Sequence, residues 1–95
     1  MRIKWLKDAA DDLDGIESYI LQQGKGTAAA QVVLEIIVAT EAIATFPAIG
    51  RQGRVDGTRE LVIAELPYIV PYRITNNVVE ILRVLHTARK WPDNF

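Results

Sequence analysis

The spacing of apolar residues changes twice along the chain, and these changes constrain the fold more than any other feature. Met1–Leu6 alternates apolar and charged residues, which is typical of a strand. Over residues 9–20 the apolar positions recur every three or four residues, which predicts a helix, and residues 24–26 contain two glycines that end it. Thr27 is the predicted N-cap of a second helix, which Pro47 ends. The two helices should form an antiparallel hairpin.

Strand-type patterns follow a basic, glycine-containing loop and continue to the end of the chain. The loop covers residues 47–57, the predicted strands are Thr58–Leu66, Tyr68–Ile74 and Val78–His86, and residues 75–77 are a hairpin turn. Pro71 lacks a backbone donor, so its strand should be an edge strand or carry a bulge there. The order β-α-α-β-β-β predicts a single α+β domain over residues 1–95. Its antiparallel sheet should carry the helical hairpin on one face.

The last predicted strand has apolar residues on both sides. Ile81 and Leu85 fall on one side together with Arg83, if the strand is regular. The helical hairpin can cover only one face of the sheet. We therefore expect the other face to expose apolar surface with arginine beside it, which usually marks a binding site.

Composition excludes several classes of function. Among 95 residues there is no cysteine and one histidine, so disulfide scaffolds, thiol catalysis and histidine-rich metal sites are excluded. We expect no metal and no cofactor. No uninterrupted apolar run reaches the roughly 20 residues that cross a bilayer, and no signal peptide is recognisable, so we expect a cytoplasmic protein without a membrane partner.

Charge is balanced in total but unevenly distributed. Residues 1–48 carry four basic and seven acidic groups, whereas residues 49–95 carry seven basic and five acidic groups. Six of the seven arginines lie in the second half. Arginine favours planar contacts with phosphate or carboxylate, so this half is a candidate binding surface for an anionic partner. The alternative is that these arginines are scattered over the surface without a shared role.

Three segments in the second half resemble one known family. They are GRQGRVDGTRELVI (Gly50–Ile63), PYIVPYRI (Pro67–Ile74) and VVEILRVLHTARKWP (Val78–Pro92). Together with the N-terminal strand and the acidic helix start, they resemble toxins of the RelE/ParE superfamily, also called plasmid stabilization proteins, from type II toxin–antitoxin modules. The resemblance implies the β-α-α-β-β-β fold, growth inhibition, and a cognate antitoxin that binds the toxin in a hetero-oligomer.

The resemblance leaves two targets open, which require different chemistry. A RelE-like toxin cleaves mRNA on the ribosome, and Arg59, His86 and Arg89 would then be the catalytic residues. A ParE-like toxin poisons DNA gyrase. RNA cleavage needs a base, an acid and a cation. Arginines are poor proton carriers, and the late tyrosine of some nuclease members is missing. The incomplete acid–base set favours the ParE-like function, with the mRNA endoribonuclease as the alternative and an inactive family member as a third.

Two sets of contact residues follow from these expectations. Expected target-binding residues are Arg51, Arg54, Arg59, Arg89 and Trp91, and expected antitoxin-binding residues are Ile81, Arg83 and Leu85. Each has a structural alternative. Arg59 could pair with the neighbouring Glu60, His86 could bond only to nearby backbone, and Trp91 could simply pack the C-terminal tail onto the domain.

Overall fold

The computed structural model describes residues 1–95 as two helices and six strands. The elements are β1 (Arg2–Trp5), α1 (Lys7–Gln22), α2 (Gly26–Thr45), β2 (Arg51–Gln52), β3 (Arg59–Val62), β4 (Tyr68–Thr75), β5 (Val78–Ile81) and β6 (Leu85–His86). The predicted α+β class and element order are confirmed. Two details differ, because the basic loop contains the short strand β2 and the last predicted strand is divided into β5 and β6.

The turn between the helices is tighter than the sequence suggested. Gly24 has φ 73°, a left-handed conformation that glycine adopts without strain, and it reverses the chain. The amide of Ala29 already donates to the carbonyl of Lys25 at 2.9 Å, so α2 begins at Gly26. Thr27 lies inside the helix, and the predicted Thr27 cap is wrong because the backbone closes the first turn two residues earlier.

The sheet is mixed and open, with strand order β1-β5-β4-β3-β2. All neighbouring pairs are antiparallel except β1 and β5, which run parallel with Arg2 opposite Val78. The prediction of a wholly antiparallel sheet is therefore wrong. The connection between β1 and β5, which contains the helical hairpin and the strands β2 to β4, is long enough for the crossover that parallel neighbours require.

A bulge interrupts the sheet beside Pro71, as the missing backbone donor predicted. On one side of Pro71, Tyr72 lies opposite Ile81; on the other, Ile69 lies opposite Leu85. Between these two pairs, β4 contributes two residues (70–71), whereas the segment from β5 to β6 contributes three (82–84), so this segment carries one extra residue. Within the bulge, the Leu82 N–H donates to the Pro71 carbonyl at 2.9 Å. The predicted hairpin turn is also confirmed, since Asn76 and Asn77 have φ 51° and 62°.

The extra residue places Ile81 and Leu85 on opposite faces of the sheet, because side chains alternate along a strand. Ile81 is completely buried in the core beneath the helices. Leu85 is 8% exposed and lies on the other face beside Ile69. The prediction that Ile81 and Leu85 form one exposed apolar surface is therefore wrong, because the two side chains lie on different faces of the sheet and both are buried.

The face of the sheet away from the helices is covered by the C-terminal tail, residues 87–95, which has no regular secondary structure. Trp91 stacks on Arg54, and Phe95 lines a cavity of about 390 Å³ together with Leu82. Pro71 and Leu82, both on this side, are buried. The apolar residues Ile81, Leu82, Val84 and Leu85 of the last predicted strand are all buried, whereas Val62 of β3 and Ile74 of β4 stay 51% and 40% exposed.

Helix α2 spans 20 residues with a mean hydropathy of 1.6 over its most apolar window, long and apolar enough by length and composition to cross a membrane. The expectation concerned an uninterrupted apolar run, and in α2 the apolar residues are interrupted by Gln31, Glu35 and Glu41. The face formed by Ala29, Ile36, Thr40 and Ile43 is buried in the domain. Only 22% of the window is buried, so much of its surface faces outward.

Candidate functional site

The basic loop between α2 and β3 is held by a buried carboxylate. Glu60 is 2% exposed, and its Oε1 accepts bonds from Arg51 Nε at 3.2 Å and Nη2 at 3.0 Å. Its Oε2 accepts the backbone N–H of Arg54 at 2.9 Å. Every oxygen of this carboxylate is engaged, which satisfies the buried charge. Glu60 therefore fixes both the side chain of Arg51 and the backbone that carries Arg54.

The start of the same loop is anchored to the core by Tyr72. Its buried hydroxyl donates to the carbonyl of Pro47 at 2.7 Å and accepts the N–H of Gly50 at 2.9 Å. A Cβ on Gly50 would lie 2.7 Å from the Tyr72 ring, so only glycine allows this close approach. Tyr72 itself is completely buried in the core.

Arg59 also holds the basic loop, from the face of β3 opposite to Glu60. Its Nη1 donates to the carbonyl of Gly50 at 2.8 Å, and the side chain is half-buried. The alternative ion pair with Glu60 is wrong, because adjacent residues of a strand point to opposite faces, and Glu60 pairs with Arg51 instead. Part of the Arg59 guanidinium is thus committed to holding the loop.

Arg54 of the basic loop contacts Trp91 of the C-terminal tail. The guanidinium carbon of Arg54 lies 3.8 Å from the centre of the Trp91 ring, within the range of a cation–π contact. Both residues were expected to contact the target, and they contact each other. Arg51 and Arg54 remain exposed, so the loop presents two cations whose positions are set by Glu60 and Trp91. Trp91 also packs the tail onto the domain, as its structural alternative proposed.

A cleft of about 560 Å³ lies between α1 and β6. Its lining residues include Ile16 and Tyr19 from α1, Tyr68 from β4, and Val84, Leu85, His86, Arg89 and Lys90 from the end of the chain. Tyr19 is half exposed and forms one wall, whereas Arg89 and Lys90 supply exposed cations. The cleft therefore combines aromatic and aliphatic surface with positive charge at its rim.

Asp12 and Arg83 form a structural pair beside this cleft. Arg83 donates to the two carboxylate oxygens of Asp12 at 2.7 and 3.0 Å, and the N–H of Val84 donates to the same carboxylate at 2.9 Å. The hydrogen bond from Asp12 raises the pKa of Arg83, although burial opposes it. The bidentate pair ties α1 to the bulged segment, so Arg83, expected to bind the antitoxin, is already bound within the chain.

The cleft has no free pair of groups for proton transfer. His86 Nδ1 accepts the backbone N–H of Ala88 at 3.0 Å, as its structural alternative proposed, so its Nε2 faces outward as the other ring nitrogen. The ring of Tyr68, which carries a phenol hydroxyl, meets the His86 ring edge-on at 5.5 Å. Burial raises the pKa of Tyr68, and Arg89 only partly offsets this, so the phenol is a poor base at neutral pH.

The nearby carboxylates are also engaged. Asp12 binds Arg83, and Asp11 forms an ion pair with Lys7 at 2.7 Å. No group of three or more His, Cys, Asp or Glu side chains is placed to hold a metal ion.

The three residues expected to be catalytic are not brought together. His86 and Arg89 share the cleft, but Arg59 does not line it. Arg59 lies opposite Tyr72, while His86 lies opposite Tyr68. Four residues of strand separate these two positions, which is about 13 Å along β4. The candidate residues therefore form two groups, the basic loop with Trp91 and the cleft with His86 and Arg89.

Comparison with known proteins identifies the family. The family model described as "ParE toxin of type II toxin-antitoxin system, parDE" matches residues 3–91, nearly the whole chain. This chain belongs to the ParE toxin family. As a ParE toxin of a type II toxin–antitoxin system, it has a cognate antitoxin as its partner, and the predicted superfamily is confirmed.

Individual relatives agree with this assignment. "Putative toxin Y4kP" of Sinorhizobium fredii is 50% identical over 91 residues, covering 96% of this chain and 93% of that protein. "Toxin RelE2" of Caulobacter vibrioides is 33% identical over 88 residues, covering 93% and 97%. A solved structure described as "Chromosomal ParDE TA system from P. aeruginosa" matches with a TM-score of 0.83 and 27% identity, covering 90% of this chain and 95% of that one. The structural likeness supports the ParE-like function over the RelE-like one.

Sequence reasoning missed the residues that position this toxin's candidate contacts. The sequence suggests Glu60 only as a partner of Arg59, although its alternation with Arg59 places it on the other face of the strand. Asp12 belongs to the acidic start of α1, and its contact with Arg83 spans 71 residues of sequence, which no local pattern reveals. Tyr19 was not considered, although its position one turn after Ile16 puts it beside the apolar stripe of α1.

Proposed function

We propose that this ParE toxin inhibits growth by binding and poisoning DNA gyrase, without cleaving RNA. The observation that carries the proposal is the missing proton-transfer pair. In the cleft, His86 Nδ1 is used by the backbone, Tyr68 is a weak base, and both nearby aspartates are paired. General acid–base chemistry needs two groups free to exchange protons with the substrate. The ParDE-like structure supports the same conclusion. Gyrase as target implies that the toxin acts in the cytoplasm.

The basic loop is the surface that we assign to the target. Arg51 and Arg54 are exposed, and their positions are fixed by Glu60 and Trp91. A gyrase–DNA complex is polyanionic, so fixed cations on one loop increase the rate of encounter and hold phosphate in a salt-sensitive way. Arg89 adds a cation at the rim of the cleft. Arg59 contributes indirectly, since it holds the loop through Gly50.

The cleft between α1 and β6 is the surface that we assign to the antitoxin. Its floor is apolar and aromatic, and its rim carries Arg89 and Lys90. An antitoxin segment that inserts apolar side chains beside Tyr19 and places carboxylates near these cations would fit it. Leu85 lines the cleft, whereas Ile81 is buried in the core and is removed from the set of expected contacts. Arg83 supports the cleft wall through its pair with Asp12.

An mRNA endoribonuclease is the second candidate, because one relative is named "Toxin RelE2". That activity would need His86 as acid or base, since imidazole is the side chain best suited to proton transfer at neutral pH.

Expression of the wild type and His86→Ala in cells distinguishes the two functions. We expect both to inhibit growth and both to cause DNA double-strand breaks, while mRNA stays intact. With purified gyrase, both should block supercoiling to a similar extent. Cleaved mRNA in the wild type, with a loss of about 10²–10⁴-fold in His86→Ala and unchanged folding by circular dichroism, would overturn the proposal.

A further inference from the structure

The outward face of α2 carries a regular stripe that the fold leaves uncovered. Its members are spaced alternately by four and three residues, and all of them are exposed. We call this stripe the outer seam, and it consists of Thr27, Gln31, Leu34, Val38, Glu41 and Thr45. At 100° per residue it lies directly opposite the buried face of Ala29, Ile36 and Ile43.

The centre of the outer seam is apolar. Leu34 is 60% exposed and Val38 is 56% exposed, and they stack as an i, i+4 pair. Alternating four- and three-residue spacing is the pattern by which one helix packs along another in a coiled coil. The outer seam therefore indicates a second helix that this chain does not itself supply.

We propose that the outer seam pairs with the outer seam of a second copy of this chain, in an antiparallel two-helix contact centred on Ile36. In this register Leu34 of one copy lies opposite Val38 of the other. Gln31 lies opposite Glu41, so the amide N–H group can donate to the carboxylate. Thr27 lies opposite Thr45 at the ends. The same contacts occur twice around a two-fold axis, so the pair closes and does not extend into a fibre.

The distribution of charge favours the antiparallel register over a parallel one, and a second copy over a membrane. The only charged residues of α2 are Glu35 and Glu41. A parallel pair would place each of them beside its own copy, whereas the antiparallel register places no carboxylate opposite another. The helical hairpin, residues 7–45, carries seven acidic groups and only Lys7 and Lys25, a net charge of −5. Such a surface is repelled by anionic phospholipid, whereas a second copy that meets α2 along the outer seam brings only Glu35 and Glu41 of each copy near the contact, because the other five acidic groups lie on α1.

The contact should be weak, because only two large apolar side chains per copy lie in the outer seam. Small interfaces of under about 1,200 Å² are typical of transient association. We therefore expect a monomer–dimer equilibrium in the micromolar range. The outer seam lies on α2, while the proposed antitoxin cleft is lined by α1 and by strands β4 and β6. Self-association is thus compatible with an occupied antitoxin site.

Analytical ultracentrifugation of the purified full-length chain over a range of concentrations tests the register. Gln31→Lys places a cation opposite Glu41 of the other copy at two symmetric positions. It should tighten dimerisation by about three- to tenfold at low salt, with the gain lost at high salt. Gln31→Glu should weaken dimerisation, and adding Glu41→Lys to it should restore the dimer. Gln22→Lys makes the same chemical change at an exposed position on α1 and should have no effect.

Leu34→Glu should abolish the dimer while circular dichroism and the melting temperature stay near those of the wild type. The proposal is overturned if the wild type is monomeric at all concentrations tested, or if Gln31→Lys and Gln22→Lys behave alike. It is also overturned if Leu34→Glu releases the antitoxin from the purified complex, since the outer seam would then belong to the antitoxin. None of these measurements involves gyrase, so the inference can fail independently of the proposed function.

Discussion

Replacing the buried Glu60 carboxylate by an amide should loosen the basic loop. In Glu60→Gln, one side-chain oxygen becomes an NH₂ group that faces either the Arg51 guanidinium or the Arg54 N–H, both of which are donors. At least one charge-assisted hydrogen bond is lost and a donor is left facing a donor. Such bonds contribute about 1.5–3 kcal/mol each, and the exposure of Arg51 reduces the electrostatic part. We expect a loss of about 2–3 kcal/mol in the free energy of unfolding.

For a chain of this size, 1 kcal/mol corresponds to roughly 4–8 °C in Tm, so Glu60→Gln should melt about 10–20 °C lower. Urea unfolding gives the free energy directly, and amide hydrogen exchange at Arg54 reports the loop. Glu80→Gln is a matched control, because Glu80 also pairs with an arginine, Arg73, but at a more exposed site. It should cost clearly less than Glu60→Gln, because ion pairs near the surface contribute little to stability. Equal losses in the two variants, or unchanged protection of the Arg54 amide, would refute the assigned role of Glu60.

Three further outcomes follow from contacts described above. Tyr72→Phe leaves the Pro47 carbonyl and the Gly50 N–H without their partner, and should lower the free energy of unfolding by about 2–4 kcal/mol in a urea titration. Arg59→Gln, which weakens the bond to the Gly50 carbonyl, should lower Tm by several degrees and should also lower toxicity in a growth assay. Arg89→Gln, at an exposed site, should lower toxicity without changing Tm. An unchanged Tm in both variants would contradict the contact between Arg59 and the loop.

The third outcome concerns pH. The Arg73 hydrogen bond lowers the pKa of Glu80 below its ordinary 4.5, so this contribution to stability is present above pH 4.5 and is lost as pH falls through the folded-state value. Unfolding midpoints measured between neutral and acidic pH should therefore fall less steeply in Glu80→Gln than in the wild type, and parallel pH profiles would contradict the pair.

The sequence predicted those features that depend on local spacing. The order of helices and strands, the asparagine turn and the irregularity at Pro71 all follow from patterns within a few residues. The bulge itself could be placed next to Pro71, but its consequence could not be read from the periodicity. One inserted residue exchanges the two faces of a strand, so Ile81 and Leu85, four positions apart, were expected together and lie apart.

Features that depend on distant contacts were out of reach. The C-terminal tail lies on the face of the sheet away from the helices, where Trp91 stacks on Arg54. Neither the residue types nor their spacing in the sequence predicts that contact. Nor does the sequence predict that Glu60 binds both the side chain of Arg51 and the backbone N–H of Arg54, because nothing in the pattern of β3 indicates which loop lies beside it.

The parallel pairing of β1 with β5 also has a consequence for synthesis of the toxin. Arg2 is synthesised well before its neighbour in the sheet, Val78, which follows it by 76 residues. The pair of Asp12 with Arg83 is equally late. Contacts between such distant residues slow folding, because a large part of the chain must be ordered before they form. A nascent chain that stops before β5 lacks the partner of its first strand and the wall of the cleft. The toxin therefore acquires its binding surfaces only after β5 and the segment that follows it have been synthesised.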